Sequence, residues 1–296
     1  MRCVVTGGAG FAGRHLVHEL ERHGHTVHVL DRSHVDVSDL ERVAETFTAL
    51  RPEAVFHLAA ISHVGDSWND PGAVERVNVG GTRAVVEASA AHGTDVVVVV
   101  GSAEEYGAIG SIDTPILESS EPAPRSPYGV SKLAATRFAI SFATRSPMRV
   151  VVVRPFNHTG PGQTTRFMVP ALAHRILAAQ QRGENEIAVG NLDPVRDLGD
   201  VRDVVRAYRL AAEHGTSGEI YNVATGRGVT VRSIALRLME LTGADLTMRV
   251  DTDLARPVDV PVLIGDATKF RDATGWRPEI DLDTTLADVV ADARLG

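Results

Sequence analysis

RCVVTGGAGFAG, residues 2–13, is the stretch that decides the fold. A short apolar run ends at Thr6, glycines follow at positions 7, 10 and 13, and a helical pattern continues to about His23, with Gly24 as its stop. A buried strand that runs through a glycine-rich turn into a helix can receive a dinucleotide pyrophosphate. The glycines allow the tight bend, the close approach of the phosphates and the close packing of helix on strand, and the helix N-terminus offers unpaired N–H donors. The spacing is GxxGxxG, not the GxGxxG of the general fingerprint, so taken alone the turn leaves a purely structural role open. Gly7, Gly10, Phe11, Ala12 and Gly13 are the candidate cofactor residues of this turn.

Outward from the turn, strand and helix signals alternate. HTVHVL (25–30), AVFHLAA (54–60), DVVVVVG (95–101) and MRVVVVRP (148–155) read as further strands, and helical stretches at 39–50, 73–92 and 128–145 separate most of them. Valine-rich runs without polar alternation suit strands buried on both faces of a parallel sheet. This order predicts an α/β chain with a Rossmann-type, doubly wound parallel sheet and right-handed crossovers. Asp31 is followed almost at once by HVDVSD, which predicts a short loop directly after the second strand. Past residue 156 the pattern changes to a long loop (FNHTGPGQTTR), helices at 167–182 and 201–215, and a strand-like segment at 246–250. The expected organisation is a cofactor-binding domain over 1–156, to which 190–222 returns, and a smaller C-terminal substrate lobe built from 157–189 and 223–296.

Composition narrows the function. The 296 residues are 44% hydrophobic, enough for a large core, and carry a formal net charge of −8. That sign argues against a nucleic-acid partner, and it means that an anionic ligand has to be met by local arginines. No apolar run approaches the roughly 20 residues of a membrane span. The N-terminus enters MRCVVTGGAG without a signal-peptide pattern, so a cytoplasmic protein without membrane attachment is expected. The single cysteine, Cys3, excludes a disulfide framework and reads as a small buried hydrophobe of the first strand. His23, His25 and His28 lack an obvious carboxylate partner, and no metal site is expected.

SPYGVSK (126–132) carries the chemistry. Tyr128 and Lys132, four apart, share one face of a helix that Ser126 or Pro127 would start. The lysine charge is expected to lower the phenol pKa from about 10 toward the working pH, giving an acid or base suited to a C–O bond. Such pairs also occur on helix surfaces, but this one opens the helix after the fourth strand. Ser102, ending that strand in GSAEEYG, is placed to hydrogen-bond the reacting oxygen, a strand-end turn serine being the alternative. Asp31 ends the second strand, where a carboxylate accepts from ribose hydroxyls and favours NAD(H). Arg32 beside it would meet the 2′-phosphate of NADP(H), so both cofactors stay open. Together these residues predict nicotinamide-dependent chemistry on an alcohol or ketone.

VVTGGAGFAG, FHLAA, SAEEYG, SPYGVSK and RPFNHTGPGQ, in that order, resemble the extended short-chain dehydrogenase/reductases that act on nucleotide sugars. GNLDPVRDLGDVRDVVRAY, EIYNVATG, ARPVDVP and ATGWRPEIDLDTTL extend the likeness almost to the C-terminus. The resemblance implies that Tyr128 is the acid/base, Lys132 its pKa partner and ribose ligand, and Ser102 the oxygen-binding hydroxyl. It adds Asp36, Val37, Leu58, Ala59, Ala60 and Pro155 to the cofactor residues. It places Ser62, Val64, Glu104, Asn157, Arg196 and Arg256 at the substrate. Independently of the resemblance, the forked donors of arginine suit a sugar-nucleotide diphosphate, ordinary ion pairing being the alternative. His63 and His158 read as polar lining of the cleft. The resemblance also implies a homodimer formed through 73–92 and 128–145.

Departures from the family pattern narrow the activity. A dehydratase of this family needs an acid/base set at the end of the fourth strand. Glu104 stands where its essential glutamate would be, but Ala103 breaks the set, and NHTGPGQ resembles the reductases. The implied activity is NAD(P)H-dependent reduction of a nucleoside-diphosphate 4-keto-6-deoxy-hexose, GDP-linked. A 4,6-dehydratase or 4-epimerase with tightly bound NAD(P) is the alternative. A non-catalytic cofactor-sensing protein is a more distant one, because such proteins usually lose the Tyr/Lys pair retained here.

Overall fold

Valine dominates the central strands because each is covered on both faces. The computed structural model describes residues 1–108, 110–254 and 260–295. Its strands are β1 (Arg2–Thr6), β2 (Thr26–Leu30), β3 (Ala54–His57), β4 (Val96–Val100), β5 (Arg149–Pro155), β6 (Asn157–Thr159), β7 (Glu186–Val189), β8 (Val195–Asp200), β9 (Ile220–Val223), β10 (Gly228–Thr230), β11 (Thr247–Val250) and β12 (Val262–Leu263). The helices are α1 (Phe11–Arg22), α2 (Leu40–Leu50), α3 (Pro71–Glu75), α4 (Gly81–Ala91), α5 (Pro127–Ala143), α6 (Met168–Arg182), α7 (Val201–His214), α8 (Val231–Thr242), α9 (Thr268–Thr274) and α10 (Leu282–Ala293).

Six strands form an all-parallel sheet in the order β2-β1-β3-β4-β5-β9. Side chains alternate between its faces. Cys3, Val5, Phe56, Val98 and Val153 pack with Leu16 and Leu20 of α1 and Val204 and Tyr208 of α7. Val4, Val55, Val97, Val99 and Val152 pack with Phe47 of α2, Val85 of α4 and Ala139 of α5. This is the doubly wound architecture expected from the strand pattern. Cys3 is wholly buried and burial pushes its thiol up to about 11, as suits a packing residue. The sixth strand, β9, was not anticipated, because Asn222 interrupts its short apolar run.

Two local features also differ from the sequence reading. The stretch expected as one helix over 73–92 is α3, a π-helical turn at Arg76–Gly80, and α4. The turn carries Asn78, which is buried and bonds both backbone groups of Ile61, at 2.8 and 3.2 Å, and Ser131 Oγ at 2.9 Å. Such single-turn bulges re-aim one side chain out of the regular helical period. Of the segment 190–222, α7 and β9 join the main sheet, whereas β8 pairs with β6, β10 and β12 in a second sheet.

The reason lies in VRDLGDVRD, which buries three carboxylates at three-residue spacing. Asp197 accepts from Thr225 N and Oγ1, Gly226 N and Gly265 N. Asp200 caps α7 through Arg202 N and accepts from Thr285 Oγ1 of α10. Asp203 accepts from the amides of Glu279 and Ile280. Each aspartate therefore ties a distant segment to β8 or α7, a pairing an apolar strand of the main sheet would not provide. A third apolar cluster joins α6, α8 and α10 beside this second sheet, and β11 pairs with β7 at its margin.

Close approach at the first turn sets one constraint on sequence. A Cβ on Gly13 would lie 2.2 Å from Gly7 O and 2.7 Å from Gly8 Cα, both backbone atoms that cannot swing aside. Gly13→Ala is therefore expected to destabilise the fold by about 3 kcal/mol or more, read as a shifted midpoint in urea denaturation. An unchanged midpoint would show that helix and strand can separate at this point.

Candidate active site

The glycine turn presents its donors to one side. Gly7 has φ +70° and donates its amide to Leu30 O at 2.7 Å, and Gly10 N–H closes the bend onto Gly7 O at 3.0 Å. Gly10 caps α1 with no side-chain hydrogen bond, so the first-turn amides at Phe11 and Ala12 are left for a ligand. An uncapped helix N-terminus behind a glycine bend fits the pyrophosphate of a dinucleotide. Leu58 and Ala59 close the turn from below: Leu58 N bonds Thr6 O at 3.1 Å and Ala59 N bonds Thr6 Oγ1 at 3.2 Å. Ala60, half-buried, follows them.

Beyond β2, Asp31 Oδ1 accepts from Ser33 N, Ser33 Oγ and His34 Nδ1, and these hydrogen bonds hold the carboxyl below its usual range. Arg32 is exposed and makes no ion pair with a described residue. Asp36 accepts from the backbone and side chain of Ser38, while Val37 is buried in the core against the turn before α4. Pro155 ends β5, in register with Val223.

The chemistry-bearing residues gather where β4 ends and α5 begins. Ser126 caps α5, accepting from Gly129 N at 3.1 Å, and Pro127 occupies its first turn. Tyr128 and Lys132 are both buried. A Cβ on Gly129 would stand 2.6 Å from Glu104 O and 3.1 Å from Pro124 Cβ, so the glycine between them lets the helix rest against the Glu104 backbone and the Pro-dense segment. Ser102 lies beside the Tyr128 phenol and accepts from Glu104 N at 3.1 Å. Lys132 Nζ donates to Val100 O at 2.8 Å. Ser102, Glu104, Tyr128 and Lys132 thus form one group.

Its electrostatics correct one expectation. Burial pushes the Tyr128 phenol above its ordinary value; the Ser102 hydrogen bond opposes this, and the charges of Glu104 and Glu105 add to it. Lys132 is not among the groups that shift it, because its ammonium is turned to the β4 carbonyl. Instead burial lowers Lys132 itself from 10.5 to about 8, opposed by Glu105. The tyrosine is held protonated, and the lysine is the group poised to titrate.

The expected substrate residues are more dispersed. Ser62 and Val64 lie in the loop after β3, where Ser67 Oγ donates to Val64 O at 2.6 Å. His63 contacts Asp66 at 3.1 Å and meets the Phe167 ring edge-on. Asn157 opens β6, exposed and in register with Leu198 of β8. Arg196, two residues before Leu198, is buried, and its Nη1 donates to Val195 O and Val260 O. His158 stacks on Phe11 at the start of α1 with centroids 6.1 Å apart, which joins the NHTGPGQ loop to the glycine turn. Arg256 lies outside the described residues. No group of three or more His, Cys, Asp or Glu side chains suited to a metal ion occurs among the described residues, and no described helix is long and apolar enough to cross a membrane.

Sequence reasoning passed over His57, which joins the two halves of the site. It is buried at the end of β3, and burial, followed by the nearby Lys132 charge, lowers its pKa to about 3, so it is neutral. Thr82 donates its hydroxyl proton to Asn78 O at 2.6 Å and must accept from His57 Nε2–H at 3.0 Å. His57 Nδ1 then accepts from Thr6 Oγ1 at 2.8 Å. Asn78 continues to Ser131, whose hydroxyl donates to Tyr128 O at 2.8 Å. A fully satisfied polar chain therefore runs from the glycine turn to α5. The visible signal was a histidine inside an otherwise apolar strand.

The fold and this group define a nucleotide-dependent enzyme of one large class: the chain belongs to the NAD dependent epimerase/dehydratase family, whose model matches residues 3–224. It is 33% identical over 294 residues to a GDP-6-deoxy-D-mannose reductase of Pseudomonas aeruginosa, covering 98% of this chain and 96% of that one. The structure of RMD from Pseudomonas aeruginosa complexed with NADPH matches at TM-score 0.90 and 32% identity, over 100% of this chain and 99% of that chain. A UDP-glucose 4-epimerase of Thermotoga maritima with UDP-glucose matches at TM-score 0.92 and 32% identity, again over 100% and 99%.

Lys132 offers a direct titration, because the chain has only two lysines, Lys132 and Lys269. With selectively labelled lysine, one ε-carbon resonance is expected to titrate with a midpoint near 8. A base with a lowered folded-state pKa binds fewer protons folded than unfolded between about 8 and 10.5. Its contribution to stability therefore rises with pH across that window. Lys132→Met should gain most on wild type below pH 8 and lose that advantage by pH 10 in urea denaturation. A pH-independent difference, or a midpoint near 10.5, would refute the burial argument.

Proposed function

We propose that the protein is a cytoplasmic, homodimeric NAD(P)H-dependent reductase of a nucleoside-diphosphate 4-keto-6-deoxy-hexose, with GDP-4-keto-6-deoxy-mannose as substrate and GDP-rhamnose as product. The observation that carries this reading is the burial of Tyr128 and Lys132 together at the start of α5, beside Ser102 at the end of β4. A bound reduced nicotinamide dinucleotide supplies the hydride. Ser102 and Tyr128 hold the keto oxygen, and Tyr128 gives it the proton as charge develops there. Lys132, charged below about 8, is assigned to the ribose. The uncapped start of α1 holds the pyrophosphate. Asn157, Arg196 and Arg256 are assigned to the sugar nucleotide, with Ser62 and Val64 beside the sugar.

The similarity of the Pseudomonas aeruginosa reductase over nearly the whole chain supports this choice. So does Ala103, whose buried methyl gives Glu104 no neighbouring hydroxyl for dehydration. The equally similar UDP-glucose 4-epimerase keeps internal-redox chemistry as the second reading. Dimerisation is assigned to α4 and α5, where Val130 is more than half exposed.

The test follows absorbance of reduced cofactor with GDP-4-keto-6-deoxy-mannose. Stoichiometric oxidation is expected. No oxidation, with GDP-mannose converted to a 4-keto product without added cofactor, would establish the dehydratase instead. Tyr128→Phe should lower turnover by about 10²–10⁴ in a folded protein; retained turnover would remove Tyr128 from this role. NADPH is expected to outperform NADH, because Arg32 is exposed while Asp31 Oδ1 already has three donors. Arg32→Ala should cut that preference by about tenfold, roughly 1.4 kcal/mol. An unchanged cofactor ratio would return the assignment to Asp31 and NADH.

A further inference from the structure

We infer that Glu105, backed by Arg154, is a positioning residue that fixes Ser102 against the helix carrying Tyr128 and Lys132. Glu105 Oε1 accepts from Ser102 N at 2.9 Å and from Thr136 Oγ1 at 3.0 Å. Its Oε2 accepts from Arg154 Nε and Nη2, both at 2.8 Å. Thr136 lies one turn beyond Lys132 on α5, so a single carboxylate oxygen bonds both the end of β4 and the catalytic helix. The site is shaped for it: a Cβ on Gly101 would come within 2.5 Å of Glu105 Oε1. The Arg154 guanidinium stacks 4.6 Å from the Tyr106 ring, and Tyr106 donates to Asn222 Oδ1 of β9 at 2.8 Å.

Part of this arrangement is an ordinary capping box, in which Ser102 and Glu105 close a short 3₁₀ turn, Ala103–Glu105. A capping box does not call for Thr136 or Arg154. Stability is a weak reason for the pair as well. Glu105 is wholly buried and Arg154 only 1% exposed, and desolvating two such charges largely offsets their attraction. Arg154 Nη1 has no hydrogen-bond partner among the described residues, a further cost that apolar side chains would avoid. Apolar side chains would leave the Ser102 amide without its acceptor and remove the negative charge near Lys132. That charge opposes the lowering of the Lys132 pKa by burial, so Glu105 also sets the pH range over which the lysine stays charged.

The inference rests on the catalytic roles proposed for Ser102, Tyr128 and Lys132, and the experiment separates the two. Turnover, KM and pH profile with GDP-4-keto-6-deoxy-mannose and NADPH are compared for Tyr128→Phe, Thr136→Val and the double variant Glu105→Gln with Arg154→Met. The double variant keeps an acceptor oxygen at Ser102 and leaves no unpaired buried guanidinium. Its kcat is expected to fall by about 10², with KM within about threefold. The alkaline limb of its profile should move to lower pH than in the wild type, because the Glu105 charge that opposes the lowering of Lys132 is gone. Thr136→Val should lose about tenfold in kcat, as expected for slackened geometry at the site. A folded double variant with wild-type kcat and an unmoved limb, whatever its melting temperature, would reduce the pair to core packing. If the double variant fails to fold, wild-type kcat in Thr136→Val overturns the inference. Wild-type turnover in Tyr128→Phe would instead remove the catalytic assignment, and the inference with it.

Discussion

Everything at this site depends on one row of backbone pairing. Leu30, Thr6, His57, Val99, Val152 and Ile220 stand side by side across all six strands of the main sheet. Because every strand is parallel, the chain leaves each of them on the same edge. The residues just past this row are Asp31, Gly7, Leu58 and Val100, which carry or adjoin the cofactor turn and the reacting group. The ladder fixes their spacing without any side-chain contact, and polar side chains then adjust it. Thr6 and His57 lie in the row itself and are joined directly at 2.8 Å. Register, set by apolar alternation on two faces, is thus the first determinant of the active-site geometry.

The second sheet solves a different problem. The segments that complete the cleft are short, and their apolar residues are joined by buried polar ones. Buried carboxylates add to that hold, each accepting at least one N–H or O–H donor from chain far away in sequence. Asp197 is adjacent to Arg196 on β8, so the strand that clamps the 225–226 turn also carries an arginine assigned to the substrate. Burial pushes the Asp197 carboxyl up while its four donors pull it down. Such a clamp holds only where the donors are present and aligned, and here it ties β8 and α7 to the chain at 225–226, 265, 279–280 and 285.

How far the sequence could be read follows from these two kinds of force. Strands β1 to β5 were legible because valine runs have one explanation in a chain of this type, and α5 was legible from Ser126, Pro127 and the Tyr/Lys spacing. The glycine turn was legible because the strand before it and the helix after it left little else for it to do. The sixth strand was not, since IYNV interrupts its apolar run with Asn222, whose amide bonds Ile116 O and Asp266 O. Nor was the π turn at Arg76–Gly80, because no local pattern signals a bulge made for one buried asparagine. The polar interior was the hardest part to foresee. His57, Glu105 and Arg154 have partners 25 to 51 residues away along the chain, and composition alone reads each as a surface residue.

The direction of the electrostatic error is informative. Spacing alone suggested that Lys132 would draw the Tyr128 pKa down, because a charge four residues away on a helix is close. Depth changes the balance: in a site with little water the cost of ionising a phenol exceeds what one neighbouring hydrogen bond returns, and two glutamates raise that cost further. A buried lysine meets the same cost and answers it by becoming easier to neutralise. Burial therefore favours the protonated phenol of Tyr128. For reduction of a ketone this is the useful state, since the phenol need lose its proton only as negative charge forms on the substrate oxygen beside it.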